Sequence, residues 1–352
     1  GSILIAMTPN DNHIKSSIQA YYKRKRNSAL IFLAGLVVLS FFLPILSLLH
    51  PMQMTSDVNP ENMYNQNIKY VTADLRELYF TGYTRNFLGN TTGYYYYTMR
   101  GGKCFIVLLS PRSSQMGLSY IESLSGDYRI IRDSKAMDML LTNLAHDLTW
   151  NDAGIRDAVS PYMLSESDAN GLMTDFLRFF LLISIALAVV TILISTISII
   201  KPEFSRPIRR LSVYGNPKEI LEEAEDERAT LPQLATEDMF ITEHYFIETT
   251  KDGVALVPID RILWIYKYST LHKILWHHFS ISYTLYINAE RHRYIRCPKN
   301  TKTDIDGIMD YLSEANHNIY VGFSEENRRR IEARQGDLIF LRKIWAFLSR
   351  KV

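Results

Sequence analysis

"FFLLISIALAVVTILISTISII", residues 179–200, is 22 residues long and has no charged side chain. Earlier in the chain, a first run, "ALIFLAGLVVLSFFLPILSLL" at residues 29–49, is 21 residues long and equally uncharged. About 20 apolar residues at ~1.5 Å rise cross a ~30 Å hydrocarbon core. A soluble core helix of that length ordinarily keeps a polar side. The two runs predict transmembrane helices at residues 29–49 and 175–200. The first is long for a cleaved signal region, and no small-x-small cleavage site follows it, so it reads as a retained span. Pro44 predicts a kink near its outer end.

Charge sets the orientation. "YYKRKRN" puts Lys23, Arg24, Lys25 and Arg26 just before the first run, and Lys201, Arg206, Arg209 and Arg210 follow the second. The stretch between has only Lys69 and Arg156 near the spans. The positive-inside rule then places both termini in the cytoplasm and residues 50–174 outside, on a plasma (cytoplasmic) membrane. Arg178, one turn into the predicted span 175–200, is expected to snorkel to the outer interface.

The formal charge of +2 over 352 residues argues against a nucleic-acid binder. Residues 50–174 hold 10 basic and 13 acidic side chains, and residues 201–352 hold 23 and 22, so neither part is a polyelectrolyte. The two cysteines, Cys104 and Cys297, fall on opposite sides of the membrane and cannot pair within one chain. Cys104 reads as a buried thiol in an apolar strand.

Residues 50–174 are expected to form a β-rich outer domain. "KYVTADLRELYFTGYTRN", "YYYYTMR" and "KCFIVLLSP" read as a three-stranded meander, with turns at "FLGNTTG" and Gly101-Gly102. Along a strand, Tyr94 and Tyr96 face one way and Tyr95 and Tyr97 the other. One pair suits a barrel core; the other suits a binding platform or a covering element. The candidate ligand- or partner-binding residues are therefore Tyr94, Tyr95, Tyr96 and Tyr97. "YRIIRD" is a further strand, and "SKAMDMLLTNLAHDL" a helix capped by Ser134, with Met137, Leu140, Leu141, Leu144 and Leu148 on one face. A small OB-like β-barrel with helices accounts for this order.

Residues 201–232 read as a linker with a charged helix over 217–229. From residue 233 the chain turns β-prone: "DMFITEHYFIETT", a Lys251-Asp252-Gly253 turn, "VALVPIDRILWIYKYST" and "SISYTLYINAERHRYIRC". "TDIDGIMDYLSEAN" closes the series as a helix, with Ile305, Ile308, Met309 and Leu312 on one face and Thr303 as its cap. Strands closed by one amphipathic helix outline a PH-like domain over 233–322. Residues 323–352 form a helical tail. Its end, "DLIFLRKIWAFLSRKV", is basic and amphipathic, with Arg342, Lys343 and Trp345 suited to a membrane interface.

The segments "SRPIRRLSVYGNPKEILEEAEDE", "FITEHYFIE", "ALVPIDRILWIYKY" and "NIYVGFSEENRRR" together resemble a group of two-span membrane proteins of Gram-positive, Firmicutes-type bacteria. That group has a cytoplasmic PH-like domain and no agreed activity. The likeness covers residues 205–330, and its motifs have a structural look, with Trp264 and Tyr266 alternating around Ile265. The resemblance implies a protein-interaction module.

No catalytic constellation emerges. There is no Gly-rich phosphate loop, nucleophile elbow or H-E-x-x-H. His272, His277, His278 and His292 near Cys297 lack structural-zinc spacing, so no metal is expected. Asp147, Asp152 and Asp157 read as solvated charge. Neither apolar run has a central charge for an ion path. The expectation is an α+β membrane protein: not an enzyme, without cofactor, set in a lipid bilayer with protein partners or as a homo-oligomer. Small residues in the second run, Ser184, Ala186 and Ala188, suit close helix approach. It would act as a scaffold or signal-coupling protein. The rivals are an accessory subunit of a membrane enzyme or transporter, and a receptor for an extracellular ligand.

Overall fold

Pro44 decides where the first helix stops. The computed structural model describes residues 12–132, 134–230, 233–274 and 278–335, with 270–274 and 278–280 described by backbone alone. Helix α1 runs His13–Leu39, and a short helix α2 runs Ile45–Leu49. Proline has no N–H and its ring crowds the carbonyl four residues back, so a continuous helix through Pro44 is costly. The expected kink is a full break, and residues 29–49 do not form one helix. Near the break, the Asn67 side-chain amide donates to the carbonyls of Ser40 at 3.1 Å and Leu43 at 3.0 Å.

The chain divides into two units: Leu30–Val190, and Gly1–Ala29 together with Thr191–Val352. In the first lie β1 (Met52–Met54), α3 (Pro60–Asn65), β2 (Tyr70–Phe87), β3 (Asn90–Arg100), β4 (Lys103–Leu109) and β5 (Tyr120–Arg132). Then come α4 (Lys135–Asp147), α5 (Asp152–Ala158), β6 (Tyr162–Ser165), α6 (Glu166–Ala169) and the start of α7 (Leu172–Ile200). The six strands form one sheet in the order β1-β2-β3-β4-β6-β5, and β5 pairs back onto β2, so five of them close a ring. The 18-residue β2 serves two neighbours: Tyr70 to Tyr79 face β5, and Tyr79 to Phe87 face β3. Its register shifts between Phe80 and Thr84, around Gly82 at φ 87°, which bends the strand. All ring pairs are antiparallel except β4–β6.

Inside the ring are Val71, Leu75, Leu78, Tyr94, Tyr96, Val107, Tyr128 and Leu164. On its outer side, Met137, Leu140 and Leu141 of α4 and Ile155 of α5 pack over Tyr95, Ile106, Leu108 and Met163. The Ser134 hydroxyl accepts from the Met137 amide at 3.0 Å, as the capping pattern predicts. At Gly93 an added Cβ would sit 2.6 Å from Leu108 Cδ1, so any larger residue there requires the Leu108 side chain to shift.

Helix α7 is the one described helix long and apolar enough to cross a membrane; 11% of its most apolar window is buried within the chain. Ala188, Ser195 and Ser198 form its buried line, while Ala186 lies outside it. Of the two predicted spans, only the second is a continuous helix.

The other unit continues with α8 (Arg206–Arg209), α9 (Pro217–Thr230), β7 (Leu234–Ala235), β8 (Met239–Ile241), β9 (Tyr245–Thr250) and β10 (Gly253–Pro258). After these come β11 (Ile262–Ile274), β12 (His278–Ala289), β13 (Arg293–Asn300), α10 (Lys302–Ala315), β14 (Tyr320–Val321) and α11 (Glu325–Gln335). Two four-stranded sheets result, β10-β9-β8-β7 and β13-β12-β11-β14. Met239, Phe246 and Val257 of one sheet meet Ile265, Leu285 and Ile287 of the other, with Ile305, Ile308 and Leu312 of α10 in the same core. The cap of α10 is Thr301 and not Thr303: its hydroxyl accepts from the Asp304 amide at 3.2 Å.

Two further layers complete this unit. Residues 201–232 were expected as a linker with a charged helix, and the segment before residue 29 as a cytoplasmic terminus. Ile14, Ile18 and Tyr22 of α1 join Ile208, Leu211 and, on α9, Leu221 and Ala224 to cover Phe240, Ile247, Val254 and Leu256. Glu225 Oε1 accepts from the Lys15 amide at 2.7 Å, a carboxylate at the first turn of α1 where the helix dipole favours it. On the outer face of the second sheet, Trp264, Tyr266 and Tyr294 pack with Ile331 of α11, and Trp264 Nε1 donates to the Gly322 carbonyl at 2.8 Å.

Candidate functional site

The four-tyrosine strand splits as its period of two requires, but not into two usable faces. Tyr94 and Tyr96 are 8% and 0% exposed inside the ring, against Phe80 at 5.8 and 5.3 Å. The Tyr96 hydroxyl donates to the Leu118 carbonyl at 2.5 Å. Tyr95, at 5%, lies under α4 and α5. These three are buried in packing clusters. Tyr97 alone is open, at 38%.

Tyr97 does not stand alone. Register pairs it with Tyr79 on β2, and Tyr79 with Tyr120 on β5. The Tyr97 and Tyr79 rings stack at 5.4 Å, and Tyr79 meets Tyr120 at 5.1 Å. Three partly exposed phenols thus form a row across three strands on the outside of the ring. Such a row offers flat apolar faces with polar tips, suited to stacking and hydrogen bonding. Beside it, a cleft of about 550 Å³ is lined by Asp74, Arg76, Thr98, Met99 and Arg100. Tyr79 and Tyr120 escaped the sequence reading because only strand register brings them to Tyr97.

The two-sheet unit has its own cleft, about 530 Å³, where the side of α9 meets the β8–β9 turn, the end of β10 and the end of α10. Glu223, Glu243 and Asp260 line it, and its arginine, Arg261, is paired with Glu290 at 3.0 Å. Glu227 Oε1 accepts from both the His244 amide and His244 Nδ1, each at 2.9 Å. That hydrogen bond holds the imidazole above its ordinary pKa. Glu223 accepts from the Tyr245 hydroxyl at 3.0 Å, and burial with this bond raises the phenol's pKa.

Donor atoms of Glu223, Glu227 and His244 lie within 4.8 Å of one another, a set with the chemistry to hold a divalent cation. Sequence motifs point to no metal, and Glu223, Glu227 and His244 share no motif spacing. The Glu223–Glu227 spacing puts both carboxylates on one helix face, but His244 joins them only through the β8–β9 turn. Of the four histidines that precede Cys297 most nearly in sequence, His272, His277 and His278 lie outside the residues with described side chains, and His292 sits in the β12–β13 turn.

The basic residues assigned to the membrane interface have varied partners. Lys23, Arg24, Lys25 and Arg26 lie on α1, where Arg24 donates to the Lys251 carbonyl at 2.7 Å. Burial, then the charge of Arg206, lowers the pKa of Lys25. Arg178 donates to the Leu48 carbonyl at 2.7 Å at the end of α2 and pairs with Asp175 at 3.3 Å. It is thus anchored within its own unit. Arg209 and Arg210 fall at the α8 turn. Arg342, Lys343 and Trp345 lie outside the described residues.

Set beside known proteins, the chain matches no family model and no curated protein.

Proposed function

We propose that this chain is a non-enzymatic, membrane-anchored coupling protein, with the ring unit outside the cell, the two-sheet unit in the cytoplasm, and two crossings between them. The observation that carries the reading is α7. Its 22 uncharged residues extend ~33 Å at ~1.5 Å each, matching a ~30 Å hydrocarbon core. The chain itself leaves most of that surface uncovered. Exposing apolar surface to water costs roughly 25 cal/mol per Å², and lipid removes that cost.

The first crossing is less regular. Ala29 to Leu39 extends only ~16 Å as helix, and the run continues through the turn before α2. Phe41, Phe42 and Leu46 are exposed there, as lipid-facing side chains would be. The Asn67 amide serves carbonyls that would otherwise lack a partner in a water-poor layer. Both unit boundaries fall inside the long helices α1 and α7, which agrees with one chain passing twice through a bilayer.

The closed ring supports an OB-like reading of the outer unit. Two sheets closed by α10 support a PH-like reading of the inner one, and with it the resemblance to two-span proteins of Firmicutes-type bacteria. Each unit offers a recognition surface: the phenol row outside, and inside an acidic cleft that suits a lysine- or arginine-bearing partner segment. Native mass spectrometry of the full chain in mild detergent tests this. A complex of fixed stoichiometry, with itself or with another subunit, that Glu223→Lys or Tyr79→Ala disrupts supports coupling. A monomer that neither substitution affects contradicts it.

A further inference from the structure

Arg293 opens β13 and is 7% exposed, with a buried Nε that has no hydrogen-bond partner. Among the described residues no carboxylate forms an ion pair with it. The carboxylate on the adjoining turn, Glu290, is taken by Arg261 at 3.0 Å and Arg334 at 3.7 Å. The charges acting on Arg293 include two further arginines, Arg210 and Arg206. Burial first, then this like-charge company, outweigh an opposing contribution from Tyr214 and bring its pKa down to about 10. Taking a guanidinium out of water without a counter-charge is among the costlier things a fold does.

Further arginines line the space beside it. A cavity of about 240 Å³ is lined by Arg210, Ser212, Arg291 and Arg293. Arginine forks match phosphate oxygens in pairs, and a serine hydroxyl adds a donor. At ~30 Å³ per water in the liquid, the cavity equals about eight waters, room for a phosphate and part of the group it esterifies. Arg206, Arg209 and Arg210 follow within ten residues of Ile200, the end of α7.

We propose that this arginine pocket binds a phosphate group, with Arg293 as its buried counter-charge and Arg210, Arg291 and Ser212 as its rim. The source is a phospholipid headgroup or a soluble phosphate compound; the chemistry recognised is the same. The inference goes beyond the coupling reading and does not depend on it.

The test uses the full chain in nanodiscs. Thermal unfolding is followed with inorganic phosphate against chloride at matched ionic strength. Phosphate should raise the midpoint of the unsubstituted protein where chloride does not. Arg210→Gln and Arg291→Gln should weaken the apparent affinity at least tenfold, and Lys299→Gln, an exposed residue at the opposite end of β13, should leave it unchanged. Arg293→Gln should abolish the response while raising the midpoint in phosphate-free buffer, because the uncompensated buried charge is gone. A merely structural arginine would lower that midpoint instead. Should that variant fail to fold, Arg210→Gln and Arg291→Gln decide.

Native mass spectrometry from phosphatidylglycerol and phosphatidylcholine nanodiscs separates the sources. Phospholipid retained by the unsubstituted protein and lost in Arg210→Gln identifies a headgroup. A response to inorganic phosphate without lipid retention identifies a soluble ligand. If phosphate acts no differently from chloride and lipid retention is the same in Arg210→Gln, the proposal is wrong.

Discussion

Tyr96 and Tyr97 are neighbours in sequence with opposite environments. Tyr96 fills the ring and spends its hydroxyl on Leu118; Tyr97 lies on the surface against Tyr79. Tyr96→Ala should therefore cost the outer unit about 3–5 kcal/mol, the range for deleting a buried aromatic ring. Tyr97→Ala should cost no more than about 1 kcal/mol, the worth of a cross-strand pair. Chemical denaturation of the full chain in detergent checks both, and equal losses would refute the assignment of faces. The alternation itself was legible in the four tyrosines. The second face left a platform and a covering element both open; α4 and α5, some forty residues on, cover Tyr95 and leave Tyr97 bare. The acidic cleft supplies a pH prediction. The folded pKa of His244 lies above its ordinary value, so its bond to Glu227 contributes stability below about 6.5 that is lost as pH rises through the folded value. NMR titration should give a midpoint above ~6.5 that falls in Glu227→Gln; a midpoint at or below it in the unsubstituted protein would count against the pairing.

At the scale of elements, one residue type overrode hydropathy. The run 29–49 is apolar throughout, and its composition says nothing of where a helix stops; the ring of Pro44 does. The seat of α1 was missed for a related reason. Ile14, Ile18 and Tyr22 do repeat at helical spacing, but the stripe is short and precedes the KRKR run, which dominates the reading. Where α9 meets α1, Glu225 accepts the Lys15 amide from a buried position, and burial raises its pKa. Glu225→Ala should leave that amide unpaired and destabilise the protein by about 1–3 kcal/mol. Glu225→Gln, which keeps an acceptor without the buried charge, should cost clearly less. Denaturation midpoints of the two variants decide; equal losses would mean that the charge, and not the acceptor, holds α1.

For the whole molecule, the α+β composition and one long apolar helix emerge from sequence and structure alike. Strand order was partly legible. The meander β2-β3-β4 follows from its glycine turns, whereas closure of the ring by β5 and β6 depends on pairings between strands far apart in the chain, which no local pattern encodes. The central claim, that the two units lie on opposite sides of a membrane, is open to direct measurement. Single cysteines at Asn90, exposed at the start of β3, and at Lys251, in the β9–β10 turn, would be introduced with Cys104 and Cys297 replaced. Intact cells would then be treated with a membrane-impermeant maleimide. The account predicts labelling of Asn90→Cys in intact cells and of Lys251→Cys only after permeabilisation. Labelling of both, or of neither, in intact cells would contradict it.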